Sequence, residues 1–241
     1  MARILMLLPT MGFDPSEVSL PWQVWHRAGH EVMFATETGE AASCDEITLT
    51  GKGLPWFARS LAARHEGRRF YAVARERREF REPLRWTDVE PAYFDGFHFP
   101  GGHAPGMRSY LESPIVADIA CKAFKRDKPV SAICHGVLAL ARAGVLEGRQ
   151  TTALTRTMEG MAVWLTRSKL GGHYRTYPES VEAEVRRLIG REGRFLTGPK
   201  FPKYAGRDAP AAGFVVADGN YLSARWPGDA WTLGVRMNQL L

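Results

Sequence analysis

Cysteine is scarce in this chain. Three residues in 241, Cys44, Cys121 and Cys134, are odd in number and widely spaced, which suits neither a disulfide framework nor a cysteine-rich zinc site. Reduced thiols are expected. Long apolar runs are also missing, so no segment is suited to span a bilayer and no membrane partner is expected. The opening Met-Ala-Arg-Ile-Leu-Met-Leu-Leu-Pro lacks the small-residue cleavage site of a secretory signal. It reads as a buried first strand, with the cytoplasm as the expected location. Internal repeats and low-complexity tails are absent, which excludes solenoids and disordered arms. Charge is not scarce but local. Of the net +6, much falls between Arg59 and Arg85, where nine arginines face four glutamates.

What is present is an alternation of strands and helices. Ile4 to Leu8 and Val32 to Ala35 are continuous apolar runs, and between them a helical stretch from Pro15 to Ala28 ends at Gly29. The pattern returns with Phe94 to Phe99 as a strand, a helix over Ile115 to Arg126, a strand over Val130 to Ile133 and a helix over Val137 to Ala143 closed by Gly144. Thr151 to Leu154 and Gly213 to Val216 read as two further short strands. Alternation of this kind predicts an α/β domain with a mainly parallel sheet sandwiched by helices. The chain, 1–241, is long enough for one such domain. Residues 45–91 break the rhythm, being rich in Arg and Glu with interspersed aromatics, and read as a helical insertion capping the carboxyl ends of the strands, where open α/β sheets bind ligands. Arg167 to Tyr177, with Gly171, Gly172, His173 and two tyrosines, reads as a second loop near the site.

The strongest chemical signal is Pro129-Val-Ser-Ala-Ile-Cys134-His135-Gly136. A strand runs directly into a helix, so residue 134 occupies a tight turn and projects over the sheet edge, as in a nucleophile elbow. Free N–H groups at the following helix start are expected to favour thiolate and lower the Cys134 pKa; the alternative is a buried structural cysteine at a strand–helix junction. His135 is adjacent in sequence, so its ring reaches the thiol only if the strained turn directs both side chains into one cleft. Phe99-Pro100-Gly101-Gly102-His103 follows a strand and offers a glycine N–H that, with the N–H of Cys134, could bind an oxyanion. Asp14-Pro15-Ser16-Glu17 opens the first helix with a cap, a first-turn proline and a capping-box glutamate. Glu17 thereby lies on the expected rim, where a protonated carboxyl could hydrogen-bond the thiolate.

Taken together, the Cys134-His135-Gly136 elbow, the Pro100-Gly101-Gly102-His103 turn, Glu17 four residues before Pro21, and Asp218-Gly219-Asn220 with Pro227 resemble the ThiJ/PfpI superfamily across nearly the whole chain. The insertion is similar to that of its larger branch, which contains glutathione-independent glyoxalases and heat-inducible chaperones. The resemblance implies a class I glutamine amidotransferase-like, flavodoxin-like fold, a homodimer and a small-molecule substrate, with no metal or organic cofactor. It implies Cys134 as nucleophile, His135 as base, Glu17 supporting the thiol, Gly102 and the Cys134 amide as oxyanion hole, and Gly101 and His103 against substrate. Glu159 is the nearest match to the acid that completes a triad in relatives. Near the C-terminus the family's glycine-glutamine-asparagine-proline run is replaced by Ser223-Ala-Arg-Trp-Pro227.

Three functions follow as expectations. The first is thiolate addition to an α-oxoaldehyde such as methylglyoxal, with amide hydrolysis as a use of the same parts. The second is a stress-chaperone role for the Arg- and aromatic-rich insertion; nucleic acid is not expected there, because no nucleic-acid fold signature accompanies it. The third is redox sensing by Cys134.

Overall fold

The computed structural model describes residues 1–241. Its main sheet has seven strands: β1 (Arg3–Leu7), β2 (Glu31–Thr36), β3 (Leu84–Arg85), β4 (Gly96–Phe99), β5 (Val130–Ile133), β6 (Val215–Asp218) and β7 (Tyr221–Ala224). Their spatial order is β6-β7-β5-β4-β1-β2-β3. Every neighbouring pair is parallel except β6 with β7. Helices of seven residues or more are α1 (Pro15–Arg27), α2 (His65–Ala74), α3 (Pro114–Lys125), α4 (Gly136–Arg142), α5 (Arg156–Leu170), α6 (Val181–Leu188) and α7 (Ala230–Asn238). Each residue of β4, β5 and β7 is buried, as expected for central strands covered by helices on both faces. The flavodoxin-like α/β architecture expected from the sequence is therefore present.

After β1 the chain builds outward through β2 and then crosses to β4 on the other side, so the order reverses beside β1. Such a switch point opens a crevice at the carboxyl ends of the strands. Loops after β1, β4 and β5 meet there. Helix α1 is held to this edge by α7: the Trp25 Nε1–H donates to Gly234 O at 2.9 Å, and a Cβ on Gly234 would lie 2.9 Å from Pro21 Cα. Trp25 is fully buried, and truncating it to alanine is expected to cost about 3–5 kcal/mol.

Three expectations are corrected. Thr151 to Leu154 does not join the main sheet; Gln150–Thr151 pairs with Arg194–Phe195 in a separate two-stranded sheet. The expected strand over Gly213 to Val216 lies two residues further on, at Val215–Asp218, and turns through Gly219–Asn220 into β7, for which the sequence reading has no strand, Asp218 pairing with Tyr221. The insertion 45–91 is not wholly helical. Its end supplies edge strand β3, and Trp86 behind it is buried with its Nε1–H on Ala35 O at 3.2 Å. Phe70, Tyr71 and Phe80 are likewise buried, so most of the segment's aromatics serve packing, while Trp56 and Phe57 stay exposed. The capping role holds in part: Thr48 and Ser60 to Ala63 wall a cavity over the crevice.

Candidate active site

Cys134 sits where β5 passes into α4, with φ at 57°, one of two non-glycine residues in the left-handed region. A side chain there costs of order 1–3 kcal/mol, a strain that persists only where surrounding structure dictates it. The neighbours do dictate it. A Cβ on Gly136 would collide with the Phe99 and Pro100 carbonyls, and one on Gly101 would lie 2.7 Å from the His135 nitrogen and 2.9 Å from Cys134 Cβ. The two glycines let the Pro-Gly-Gly turn and the elbow press together backbone to backbone, which fixes the direction of the Cys134 side chain.

Glu17 reaches this point because of Pro21. Proline has no N–H, so the carbonyl four residues earlier loses its helical donor. That carbonyl belongs to Glu17, and His98 Nε2 binds it at 3.0 Å, while His98 Nδ1 lies 2.8 Å from Ser131 Oγ. Burial holds the His98 imidazole at about 4, so it is neutral. Its Nε2–H therefore donates to the carbonyl and its Nδ1 accepts from the Ser131 hydroxyl. The first turn of α1 is pinned at its other end by Asp14, whose carboxylate accepts from the Ser16 and Glu17 amides at 2.7 and 3.3 Å. Glu17, fully buried, then accepts the Gly101 N–H on Oε2 at 2.8 Å, leaves Oε1 unpartnered, and lies beside the Cys134 thiol. His98 has no role in the sequence reading; its only trace there is an apolar strand interrupted by one histidine.

His135 also turns inward. Its Nδ1 lies 3.6 Å from Cys134 Sγ, its Nε2 is buried without a partner, and its ring stands edge-on to His103 with centroids 4.8 Å apart. His103 is fixed by the loop after α5: its Nδ1 lies 3.5 Å from Tyr174 O, and its carbonyl accepts from Thr176 Oγ1 at 2.8 Å. The expected proximity of that loop is thus real. His103 forms part of the wall of a cavity of about 190 Å³, together with Asp14, Ser16, Tyr174, Tyr204 and Trp226. Cys134 and His135 are not in that wall. They lie behind His103, with Cys134 only 1% exposed.

Burial governs the electrostatics. Desolvation, with a further push from Asp14, holds the Glu17 carboxyl well above the usual carboxylate range, so it carries a proton. Desolvation, with Asp45 adding to it, raises Asp14 from 3.8 to about 7 against the pull of its two amide bonds. The His135 imidazole is held well below its ordinary value by desolvation, with His103 and Arg142 adding to the effect. The expected lowering of the Cys134 pKa does not occur: desolvation and then the charge on Glu17 push the thiol up, opposed by the His135 amide. A protonated Glu17 removes that charge, leaving burial as what holds the sulfur in its thiol form.

Other expected roles separate. Gly101 gives its N–H to Glu17 and its carbonyl to Asp14 N at 2.8 Å, so it holds the helix start rather than substrate. The Cys134 N–H, expected in the oxyanion hole, instead donates to Ala224 O at 3.0 Å, extending the ladder between β5 and β7. Gly102 packs against the Gly12 and Phe13 backbone, where a Cβ would come within 2.5 Å of Gly12 O. Glu159 is not brought to the elbow. Its Oε2 accepts from Val181 N at 3.0 Å, capping α6, and it faces a separate, more open groove of about 610 Å³ with Trp164 and Arg175. Neither space is lined by Cys134 or Glu17; the smaller cavity is the one walled by His103, whose ring stands against His135, and by Asp14 and Ser16 beside Glu17.

Comparison with known proteins bears on the fold and the family. The chain is 28% identical over 229 residues to Deglycase PfpI of Pyrococcus furiosus, covering 94% of this chain and 93% of that protein. It is 31% identical over 160 residues to Protein/nucleic acid deglycase 2 of Escherichia coli, covering 64% and 72%. Among solved structures, glyoxalase III from Candida albicans superposes with a TM-score of 0.70 at 16% identity, over 100% of this chain and 97% of that one. Rapid Encystment Protein 24 KDa of Francisella tularensis superposes at 0.72 and 16%, over 99% and 98%. These two structures share the fold. The profile described as ThiJ/PfpI family-like matches residues 8–199, and the chain belongs to the ThiJ/PfpI family.

Proposed function

We propose that the chain is a cysteine-dependent enzyme acting on small α-oxoaldehydes, converting methylglyoxal to lactate with Cys134 as nucleophile. The observation that carries this reading is the strained, buried Cys134 with His135 Nδ1 3.6 Å from its sulfur and the buried Glu17 carboxyl beside it. The names of relatives, deglycase and glyoxalase III, support the same substrate class, since both act where a carbonyl meets a nucleophile.

The parts suffice for each step. His135 Nδ1 takes the thiol proton, and the Glu17 O–H stabilises the thiolate. Sulfur adds to the aldehyde carbon, and imidazolium returns the proton to the new oxygen, giving a hemithioacetal. The neutral imidazole then removes the C1 hydrogen as a proton and returns it to C2, while the C1 hydroxyl proton passes to the C2 oxygen, so the ketone becomes an alcohol and the hemithioacetal a thioester. Water hydrolyses the thioester to lactate and frees the thiol. The net reaction adds one water and is an internal oxidation and reduction. Amide hydrolysis fits less well, because a tetrahedral oxyanion at Cys134 finds the Cys134 N–H already bonded to Ala224. Redox sensing also fits less well, because Cys121 is exposed and Cys134 buried.

The test is methylglyoxal consumption and lactate formation by wild type and Cys134→Ala, without glutathione or added metal. Turnover in the wild type and none in the variant is expected. No turnover in the wild type overturns the substrate.

A further inference from the structure

The cysteines, taken alone, do not suit a zinc site. The fold adds donors from elsewhere in the chain. His103 Nε2 or Nδ1, Cys134 Sγ and a ring nitrogen of His135 all lie within 4.8 Å of one another. A tetrahedral zinc ion with sulfur at about 2.3 Å and nitrogen at about 2.0 Å holds those donors about 3.5 Å apart. Cys134 Sγ and His135 Nδ1, at 3.6 Å, already have that separation. His103 must approach by about 1 Å to match it; its side chain lines the cavity, and its one hydrogen bond is the long 3.5 Å contact of Nδ1 with Tyr174 O.

We propose that His103, Cys134 and His135 form a binding site for a thiophilic divalent cation, Zn²⁺ in the first instance, with its fourth position open toward the cavity. The state of both rings supports the site. His135 is fully buried, and apart from the 3.6 Å contact of Nδ1 with the sulfur it makes no hydrogen bond, so neither ring nitrogen is committed to another residue. His103 is oriented as metal-ligating histidines are, with Nδ1 near the Tyr174 carbonyl and Nε2 left for a ligand. A sulfur and two imidazoles select zinc or copper over magnesium or calcium.

A cation held by Sγ occupies the atom that the proposed reaction needs, so Zn²⁺ is expected to inhibit turnover; that arm rests on the proposed function, while binding itself does not. The experiment is titration of the reduced, metal-free full chain with Zn²⁺ against a chromophoric chelator, alongside iodoacetamide alkylation of Cys134 followed by mass spectrometry. One ion per chain is expected, with Cys134 protected from alkylation and the protection reversed by EDTA. Cys134→Ser and His103→Ala should each weaken binding by at least about tenfold, while Cys44→Ser and Cys121→Ser leave it unchanged. Co²⁺ should give a thiolate charge-transfer band that Cys134→Ser removes, a signature that loss of fold alone does not produce when His103→Gln retains the band at reduced affinity. Zn²⁺ binding that survives both Cys134→Ser and His103→Ala, or equal alkylation of Cys134 in saturating Zn²⁺, overturns the proposal.

Discussion

Two clusters of buried charge and polarity lie in this protein, and they are finished differently. Arg225 and Asp229 are 1% and 0% exposed and pair at 2.9 Å. Every arm of the pair is occupied: Arg225 also donates to the Thr197 and Pro199 carbonyls, and Asp229 accepts from Phe214 N at 2.8 Å. At the elbow, equally buried, Glu17 Oε1 and His135 Nε2 have no partner, and Cys134 is held at positive φ. The lesson is that burial alone does not separate a structural cluster from one proposed to react. Satisfaction does: the saturated pair ties the 197–199 segment to the C-terminal helix, and the unsaturated cluster keeps valence for something that enters. The pair also stands where the family motif is replaced, so the departure at Ser223 to Pro227 brings a structural lock to that side of the cavity.

The contrast can be broken or sharpened by experiment. The largest effect is expected from Cys134→Ala, which should abolish methylglyoxal turnover while its thermal midpoint stays near that of wild type. Asp229→Ala should do the reverse. Leaving Arg225 buried and unpaired is expected to cost about 3–5 kcal/mol in a denaturant titration, with turnover per folded molecule retained. Equal loss of turnover from both would erase the distinction drawn here.

Next in size is a pH effect. The Asp14 carboxyl moves from 3.8 to about 7 on folding, so the folded chain holds this proton more tightly than the unfolded one. Its contribution to stability is complete below pH 3.8 and is lost as pH rises toward 7, at about 1.4 kcal/mol per pKa unit. Asp14→Asn keeps the helix cap and should flatten the fall in thermal midpoint over that range; an unchanged slope would show that Asp14 is ionised throughout. A smaller gain is expected from Cys134→Gly, which relieves the positive φ and should stabilise by about 1 kcal/mol while turnover is lost. The smallest effect is that of Glu159→Ala, about 1 kcal/mol from loss of the α6 cap with turnover within about twofold of wild type. A loss of turnover comparable to that of Cys134→Ala would restore Glu159 to the catalytic group.

Local sequence determined the elements that carry the site. Val130 to Gly136 specified a strand, a tight turn and a helix start, because its apolar run, its cysteine and its glycine are contiguous and their geometry is set by near neighbours. Asp14-Pro15-Ser16-Glu17 specified the start of α1 for the same reason, and Pro21 marked in advance which carbonyl would be freed. Tertiary structure alone decided what those elements meet. His98 bonds the freed carbonyl from 81 residues away, a pairing with no local signature. Glu159, on α5, was placed against the start of α6 by helix packing, although it is the nearest match in sequence to the acid of relatives. The Cys134 pKa was decided by depth: helix-terminal amides act within a turn, whereas desolvation depends on all that covers the thiol, and here the cover outweighs the dipole. Local chemistry is written where the chain is contiguous, and the charge state of a buried group is a sum over the whole fold.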